Sequence, residues 1–257
     1  MISKVKIKEL KSLQQKKCRE SARLYIAEGI KVVNEAMASH ADLIELVLFT
    51  DGVKNKLRLG PHINSCTVDK GTIEKISSFK SPQECMVVLN MEPEGNFMSD
   101  TSDDIILALD SIRDPGNLGT IIRLADWFGV SKIVCSPDSV DCYNPKVVQA
   151  SMGAILRVKV FYAGLQPVLN NAKGKGIAVY GTTLAGSNIY ITKPTMPAII
   201  VMGNESEGIT GNLREYFTKE LFIPNYSHQP EKTESLNVSA ATSIVLSEFR
   251  RLQHYSK

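Results

Sequence analysis

No apolar run in this 257-residue chain approaches the roughly 18 residues that a membrane span requires. The opening Met1-Ile2-Ser3-Lys4-Val5-Lys6 is charged and lacks the apolar core of a signal peptide. A cytoplasmic protein with no membrane partner is expected. Cysteine is sparse and poorly placed for chemistry: Cys18, Cys66, Cys85, Cys135 and Cys142 include no C-x-x-C pair, and no His stands at zinc-ligand spacing. Reduced structural thiols are expected, with no metal site and no catalytic thiol. The G-x-G-x-x-G fingerprint and the P-loop lysine are missing too, which argues against a nucleotide-dependent oxidoreductase on a doubly wound sheet.

What is present is a hydrophobic content of 43%, enough to bury one large core or two of ordinary size. Charge is distributed unevenly. Residues 1–31 hold nine lysines and arginines against Glu9, Glu20 and Glu28, a net of +6 in a chain whose total is +3. Such a segment is either a phosphate-binding face or a solvated helix surface, and charge alone does not separate the two.

The stretch Asn90–Asp104 is acidic, contains Pro93 and Gly95, and lacks a sustained apolar period, so it reads as the boundary. The expected division is a small α/β module at 1–95, a linker at 96–103 and a larger domain at 104–257. In the first part the pattern predicts a basic helix over 2–23, strands near 24–27, 43–49, 66–68 and 85–89, and helices over 30–38 and 72–77. In the second part continuous apolar runs at 104–110, 132–135, 158–161, 177–180, 198–202 and 221–223 look like strands buried on both faces. Helical patterns at 118–128, 145–156, 165–172, 210–217 and 237–254 lie between and after them. Strand and helix in alternation imply a mostly parallel sheet flanked by helices, with ligands at the carboxyl ends of the strands.

Three loops follow strands and carry polar residues. The first is Asp110-Ser-Ile-Arg-Asp-Pro-Gly-Asn-Leu-Gly119, where Pro115 and Gly116 force a turn, Asn117 is placed to cap the next helix and Arg123 lies within two turns of its start. The second is Gly203-Asn-Glu-Ser-Glu-Gly-Ile209, a tight loop in which Glu205 is able to accept from an amine or a guanidinium. The third is Glu234-Ser-Leu-Asn-Val-Ser239, where Ser235, Asn237 and Ser239 exceed what capping one helix needs.

Taken in order, DPGNLGTIIRLADWFGV (114–130), IIVMGNESEGI (199–209) and IP…SLNVSAATSIVLSE (223–248) closely resemble the three motifs of the SpoU/TrmH family. These are RNA ribose 2′-O-methyltransferases of the SPOUT class. The resemblance spans roughly Asp103 to Arg251 and includes DCYNPKVVQASMGAI (141–155). It implies a C-terminal domain threaded as a trefoil knot and an S-adenosylmethionine cofactor. The first ninety-odd residues resemble, through Arg23-Leu-Tyr-Ile-Ala-Glu-Gly29, the ribosomal-protein-like RNA-binding module of rRNA-modifying members.

Carried over residue by residue, the resemblance assigns Asn117, Arg123, Glu205, Ser235 and Asn237 to catalysis. It assigns Thr182, Thr183, Leu184, Gly203, Ile223 and Leu236 to the cofactor. It implies an enzyme methylating 23S-type rRNA, with a tRNA 2′-O-methyltransferase or an inactive RNA-binding or ribosome-assembly factor as the alternatives, and a homodimer. Two departures from the family pattern stand out. The connection from Pro224 to Ser235 is longer than usual and lacks its glycine, and Gln149 stands where an Arg is common.

Overall fold

The computed structural model describes residues 2–92, 104–204, 206–229 and 234–255, which divide between two compact units. One unit comprises Met1–Pro93 together with Asp141–Leu156, and the other Glu94–Val140 together with Arg157–Lys257. Among the described residues no helix is long and apolar enough to cross a membrane.

The first unit begins with helices α1 (Lys4–Ser12) and α2 (Lys16–Ala22), followed by β1 (Leu24–Glu28), α3 (Ile30–Ser39), β2 (Ile44–Phe49), β3 (Ser65–Thr67), α4 (Lys70–Ile76) and β4 (Cys85–Asn90). Its sheet has the order β1-β4-β2-β3, with β4 antiparallel to both neighbours and β3 parallel to β2. Leu10 and Leu13 pack with Ile73, Ile76, Leu48, Met86 and Val88, so α1 and α4 cover one face of this sheet.

The single basic helix expected over 2–23 is instead two. The guanidinium of Arg19, only 2% exposed, donates to the carbonyls of Leu13 and Gln14, both at 2.9 Å. A buried side chain thus takes up the carbonyls that continuing the helix would have used, and Gln15 turns extended (φ −93°, ψ 132°).

The second unit holds β5 (Ile105–Leu109), α5 (Pro115–Trp127) and β6 (Lys132–Cys135). The chain then passes through α6 (Pro145–Ser151), which belongs to the first unit, and returns to β7 (Lys159–Tyr162), α7 (Leu165–Gly174), β8 (Ala178–Asn188), β9 (Ala198–Met202), β10 (Lys219–Phe222) and α8 (Val238–Tyr255). The strand order is β10-β8-β9-β5-β6-β7 and every pairing is parallel.

Every residue of β5, β6 and β9 is buried, whereas the edge strands β7 and β10 are mostly not. Alternate residues explain this. Ile106, Ala108, Ile199 and Val201 meet Leu165, Val168 and Leu169 of α7, while Tyr180 stacks edge-on against Phe249 of α8 with ring centroids 5.3 Å apart. Continuous apolar runs therefore mark a sheet covered on both faces.

Three elements differ from the pattern. The helix expected over 145–156 ends at Ser151, where Met152 turns left-handed (φ 52°), and a 3-10 turn follows at Ala154–Leu156. The segment expected as a helix over 210–217 is a 3-10 turn at Gly211–Tyr216, which puts Leu213 and Tyr216, three apart, on the same side toward the core. The strand expected to end at Tyr180 runs to Asn188, because it leaves its neighbour at Gly181 and rejoins it at Ser187, pairing with Glu220 and Leu221 respectively.

Candidate active site

The carboxyl ends of β5, β9 and β8, and the start of α8, meet at one edge of the six-stranded sheet. At the end of β5 the buried Asp110 receives the Thr210 N–H at 2.7 Å on its carboxylate. Its own N–H donates to the carbonyl of Met202 at 2.9 Å. The first and second polar loops are thereby held side by side.

Ser111 follows in the left-handed region, φ 57°, a conformation that costs a non-glycine residue energy. Its surroundings hold it there. The Ser111 N–H donates to Ser136 Oγ at 2.8 Å, its hydroxyl donates to Asp138 at 2.6 Å, and the Ile112 N–H donates to Ser139 Oγ at 3.2 Å. Hydroxyl donation from Ser111 and Ser136 holds the Asp138 carboxyl below its ordinary range, against a smaller opposing effect of burial.

The second loop closes on itself. Asn204 and Gly208 exchange backbone hydrogen bonds, both 2.9 Å, and Asn204 Oδ1 accepts the N–H groups of Ser206 at 2.8 Å and Glu207 at 3.2 Å. The remaining donor, Asn204 Nδ2, reaches the carbonyl of Ser111 at 2.8 Å. A Cβ on Gly203 would lie 2.4 Å from the Gly208 carbonyl carbon, so only glycine permits this closure. Glu205 lies outside the described residues.

The helix starts divide the capping work differently from expectation. Asp114, not Asn117, caps α5, accepting the Asn117 N–H at 2.8 Å with Pro115 in the first turn. The Asn117 side chain is thus not the cap of this helix. At the start of α8, Asn237 Oδ1 accepts from Ser239 N–H at 3.0 Å, Ser239 Oγ at 2.6 Å and Ala240 N–H at 3.4 Å. With that oxygen committed, the amide nitrogen points away from the helix and donates to Asn117 Oδ1 at 2.9 Å. One asparagine caps a helix and orients a second asparagine 120 residues earlier.

Of the other expected residues, Arg123 is exposed on α5 and forms no ion pair with a described residue. It lies about 9 Å further along the helix axis than Asn117 and turned away from it by about a third of the circumference, so it is not part of the asparagine pair. Ser235 is exposed just ahead of Asn237.

The candidate cofactor residues share the same edge. Thr182 donates to the carbonyl of Val201 at 2.9 Å, and Thr183 donates to that of Ala185. Leu184 is 75% exposed, Leu236 is 49% exposed and Ile223 is half-buried. Leu184 lies on β8, Ile223 directly after β10 and Leu236 just ahead of α8. Ser111, Asp138 and Asn204 were not legible as site residues. Their only sequence signal is position, directly after β5, β6 and β9 at strand carboxyl ends.

A model described as the SpoU rRNA Methylase family matches residues 104–247, and one described as the MRM3-like substrate binding domain matches residues 4–87. The chain is 28% identical over 246 residues to the 23S rRNA (guanosine(2553)-2'-O)-methyltransferase RlmP of Bacillus subtilis, covering 95% of this chain and 96% of that protein. A TrmH-family protein from Porphyromonas gingivalis superposes with a TM-score of 0.87 at 33% identity, over 98% of this chain and 99% of that one. The AdoMet-bound rRNA methyltransferase from Sinorhizobium meliloti does so with a TM-score of 0.84 at 28% identity, over 100% and 97%.

Proposed function

The chain belongs to the SpoU rRNA methylase family, and we propose that it transfers a methyl group to a ribose 2′-hydroxyl of 23S-type rRNA, with S-adenosylmethionine as donor. The observation that carries this reading is the Asn237–Asn117 bond, which joins the third polar loop to the first beside the glycine-closed second loop. A relative named as a 23S rRNA 2'-O-methyltransferase along nearly its full length, and a structural neighbour named as AdoMet-bound, support substrate and cofactor.

When bound, the sulfonium supplies an electrophilic methyl group. The protein's share is to place an acceptor in line with it and to relieve the acceptor of its proton as charge develops. In this reading Leu184, Ile223 and Leu236 pack against the nucleoside, while Gly203, Thr182 and Thr183 leave backbone groups free to bond it. Asn117, Asn237 and Ser235 order the ribose hydroxyl. Arg123 presents a planar fork of N–H donors that matches phosphate geometry. Its role is to grip the neighbouring phosphate and stabilise the nascent alkoxide, with Glu205 orienting it.

The proposed organisation assigns 1–95 to binding substrate RNA, 96–103 to a linker and 104–257 to catalysis within a trefoil-threaded chain, in the cytoplasm. A homodimer is part of the same proposal. It is supported by the exposed Trp127 and Tyr255 at the ends of α5 and α8, two helices that pack on each other, and a monomer by sedimentation would remove it.

The deciding experiment incubates RNA from a deletion strain with purified protein and labelled S-adenosylmethionine, then maps the modified ribose. Label is expected in the large-subunit rRNA. Label confined to tRNA would shift the substrate, and none in any RNA would favour an inactive binding factor.

A further inference from the structure

Helix α1 carries Lys4, Lys6, Lys8, Lys11 and Glu9 as its charged residues. They divide between two sides of the helix. On one, Lys6 donates to Glu9 at 3.0 Å and lies 3.8 Å from Glu45, so the available carboxylates are taken up there. On the other, Lys4, Lys8 and Lys11 are exposed and pair with no carboxylate among the described residues. Their spacing of four and three residues puts them on one row, about 6 Å and then about 4.5 Å apart along the axis. Ile7, Leu10 and Leu13, which run from the flank of that row round to the far side of the helix, are committed to the core with α4.

Two features oppose an ordinary solvated surface. The first turn of α1 holds Lys4 and Lys6 and no acidic residue, so its charge runs against the helix dipole and costs stability where Asp or Glu would add it. Val5, beside Lys4, is 78% exposed with no packing role that would favour an apolar side chain. Glu9 and Glu45 compensate Lys6, but Lys4 meets no carboxylate among the described residues, and a local rule broken without compensation points to function.

We propose that Lys4, Lys8 and Lys11 form a phosphate-binding row that lies along the sugar-phosphate backbone of the substrate RNA. This rests on the proposed methyltransferase reading and specifies how the first unit engages its substrate: through charge at repeated spacing, fixing register without reading bases. Lysine serves here as a mobile point charge, suited to phosphates whose exact positions vary.

The test uses the full chain with Lys4→Gln, Lys8→Gln and Lys11→Gln combined, since glutamine keeps helix propensity close to that of lysine. The probe is an in-vitro transcript of 23S rRNA, titrated by fluorescence anisotropy across a salt series. Each phosphate that is no longer neutralised removes roughly 0.7 to 0.9 from the slope of log affinity against log salt, so the slope of the triple variant should fall by about 2 to 3 and its binding near 0.1 M salt should weaken at least tenfold. Lys→Arg at the same three positions should restore both, and calorimetric affinity for S-adenosylmethionine should be unchanged in all variants.

A triple variant that keeps the wild-type salt slope overturns the phosphate row. So does one that keeps its RNA slope but loses attachment to anionic lipid vesicles. Failure of the wild type to methylate any RNA would instead count against the parent reading, while the slope comparison still decides the row.

Discussion

Asn237 holds two contacts that substitution can separate. Asn237→Asp keeps an oxygen to accept the Ser239 and Ala240 N–H groups but removes the amide donor to Asn117. It should melt within about 0.5 kcal/mol of wild type and lose methylation, whereas Asn237→Ala should lose activity and about 1 kcal/mol of cap as well. Thermal melts beside turnover measure both, and an active Asn237→Asp protein would dissociate the amide from catalysis. Arg123→Lys should leave S-adenosylmethionine affinity intact while turnover drops, because a lysine cannot reproduce the planar two-pronged grip. Full methylation by that variant would remove the grip.

Ser111 offers a pH test. Its hydroxyl helps hold Asp138 ionised, so the Asp138 carboxyl is more acidic folded than unfolded, and its contribution is present above about pH 4 and lost as pH falls through the lowered value. Ser111→Ala should therefore be destabilised at neutral pH, with the difference from wild type narrowing below about pH 4 in urea melts. A pH-independent difference would assign the loss to backbone strain alone. At this scale the polar surplus ahead of α8 was legible, since Ser235, Asn237 and Ser239 exceed what one cap needs. Which residue caps α5 was not, because Asp114 and Asn117 compete for one helix start and only the turn at Pro115 decides between them.

Elements whose apolar pattern is set by burial on both faces were read to within a residue or two: Lys132–Cys135 and Ala198–Met202 lie where the runs placed them. Elements shaped by a distant partner were not. The break between α1 and α2 depends on Arg19 turning back onto Leu13 and Gln14, and the extension of β8 depends on rejoining β10 after a five-residue excursion. Neither leaves a period in the sequence. The loop after β9 combines a local closure, the Asn204–Gly208 bridge, with a distant tie from Asn204 to the Ser111 carbonyl. Gly203→Ala should force it open, since its methyl group would sit within 2.5 Å of the Gly208 and Ile209 backbone. Calorimetry should then show S-adenosylmethionine affinity lowered by tenfold or more while RNA binding persists, and unaltered affinity would place the cofactor elsewhere.

At the scale of the whole chain, sequence order and compact unit do not coincide. Asp141–Leu156 lies inside the segment that matches the methylase family, yet it folds with the N-terminal residues. Two contacts account for this: Asp141 accepts from Arg19 at 2.5 Å, and Tyr143 packs on Tyr25 with ring centroids 4.6 Å apart. Arg19 is almost wholly buried, and its Nε lacks a partner among the described residues, so Asp141 supplies the only countercharge its guanidinium meets there. Removing one member of a buried pair leaves the other charged in a low-dielectric setting and typically costs about 3 to 5 kcal/mol, whereas replacing both with apolar residues is often close to neutral. Asp141→Asn should therefore destabilise the first unit strongly, and Arg19→Met with Asp141→Leu should recover only part of the loss, because Met leaves the Leu13 and Gln14 carbonyls without their donor. Hydrogen exchange at the β1 amides reads this directly: fast exchange is expected in the single variant and slower exchange in the double. Equal protection in wild type and Asp141→Asn would show that α6 is held to β1 by apolar packing alone and that the ion pair is incidental to this discontinuous unit.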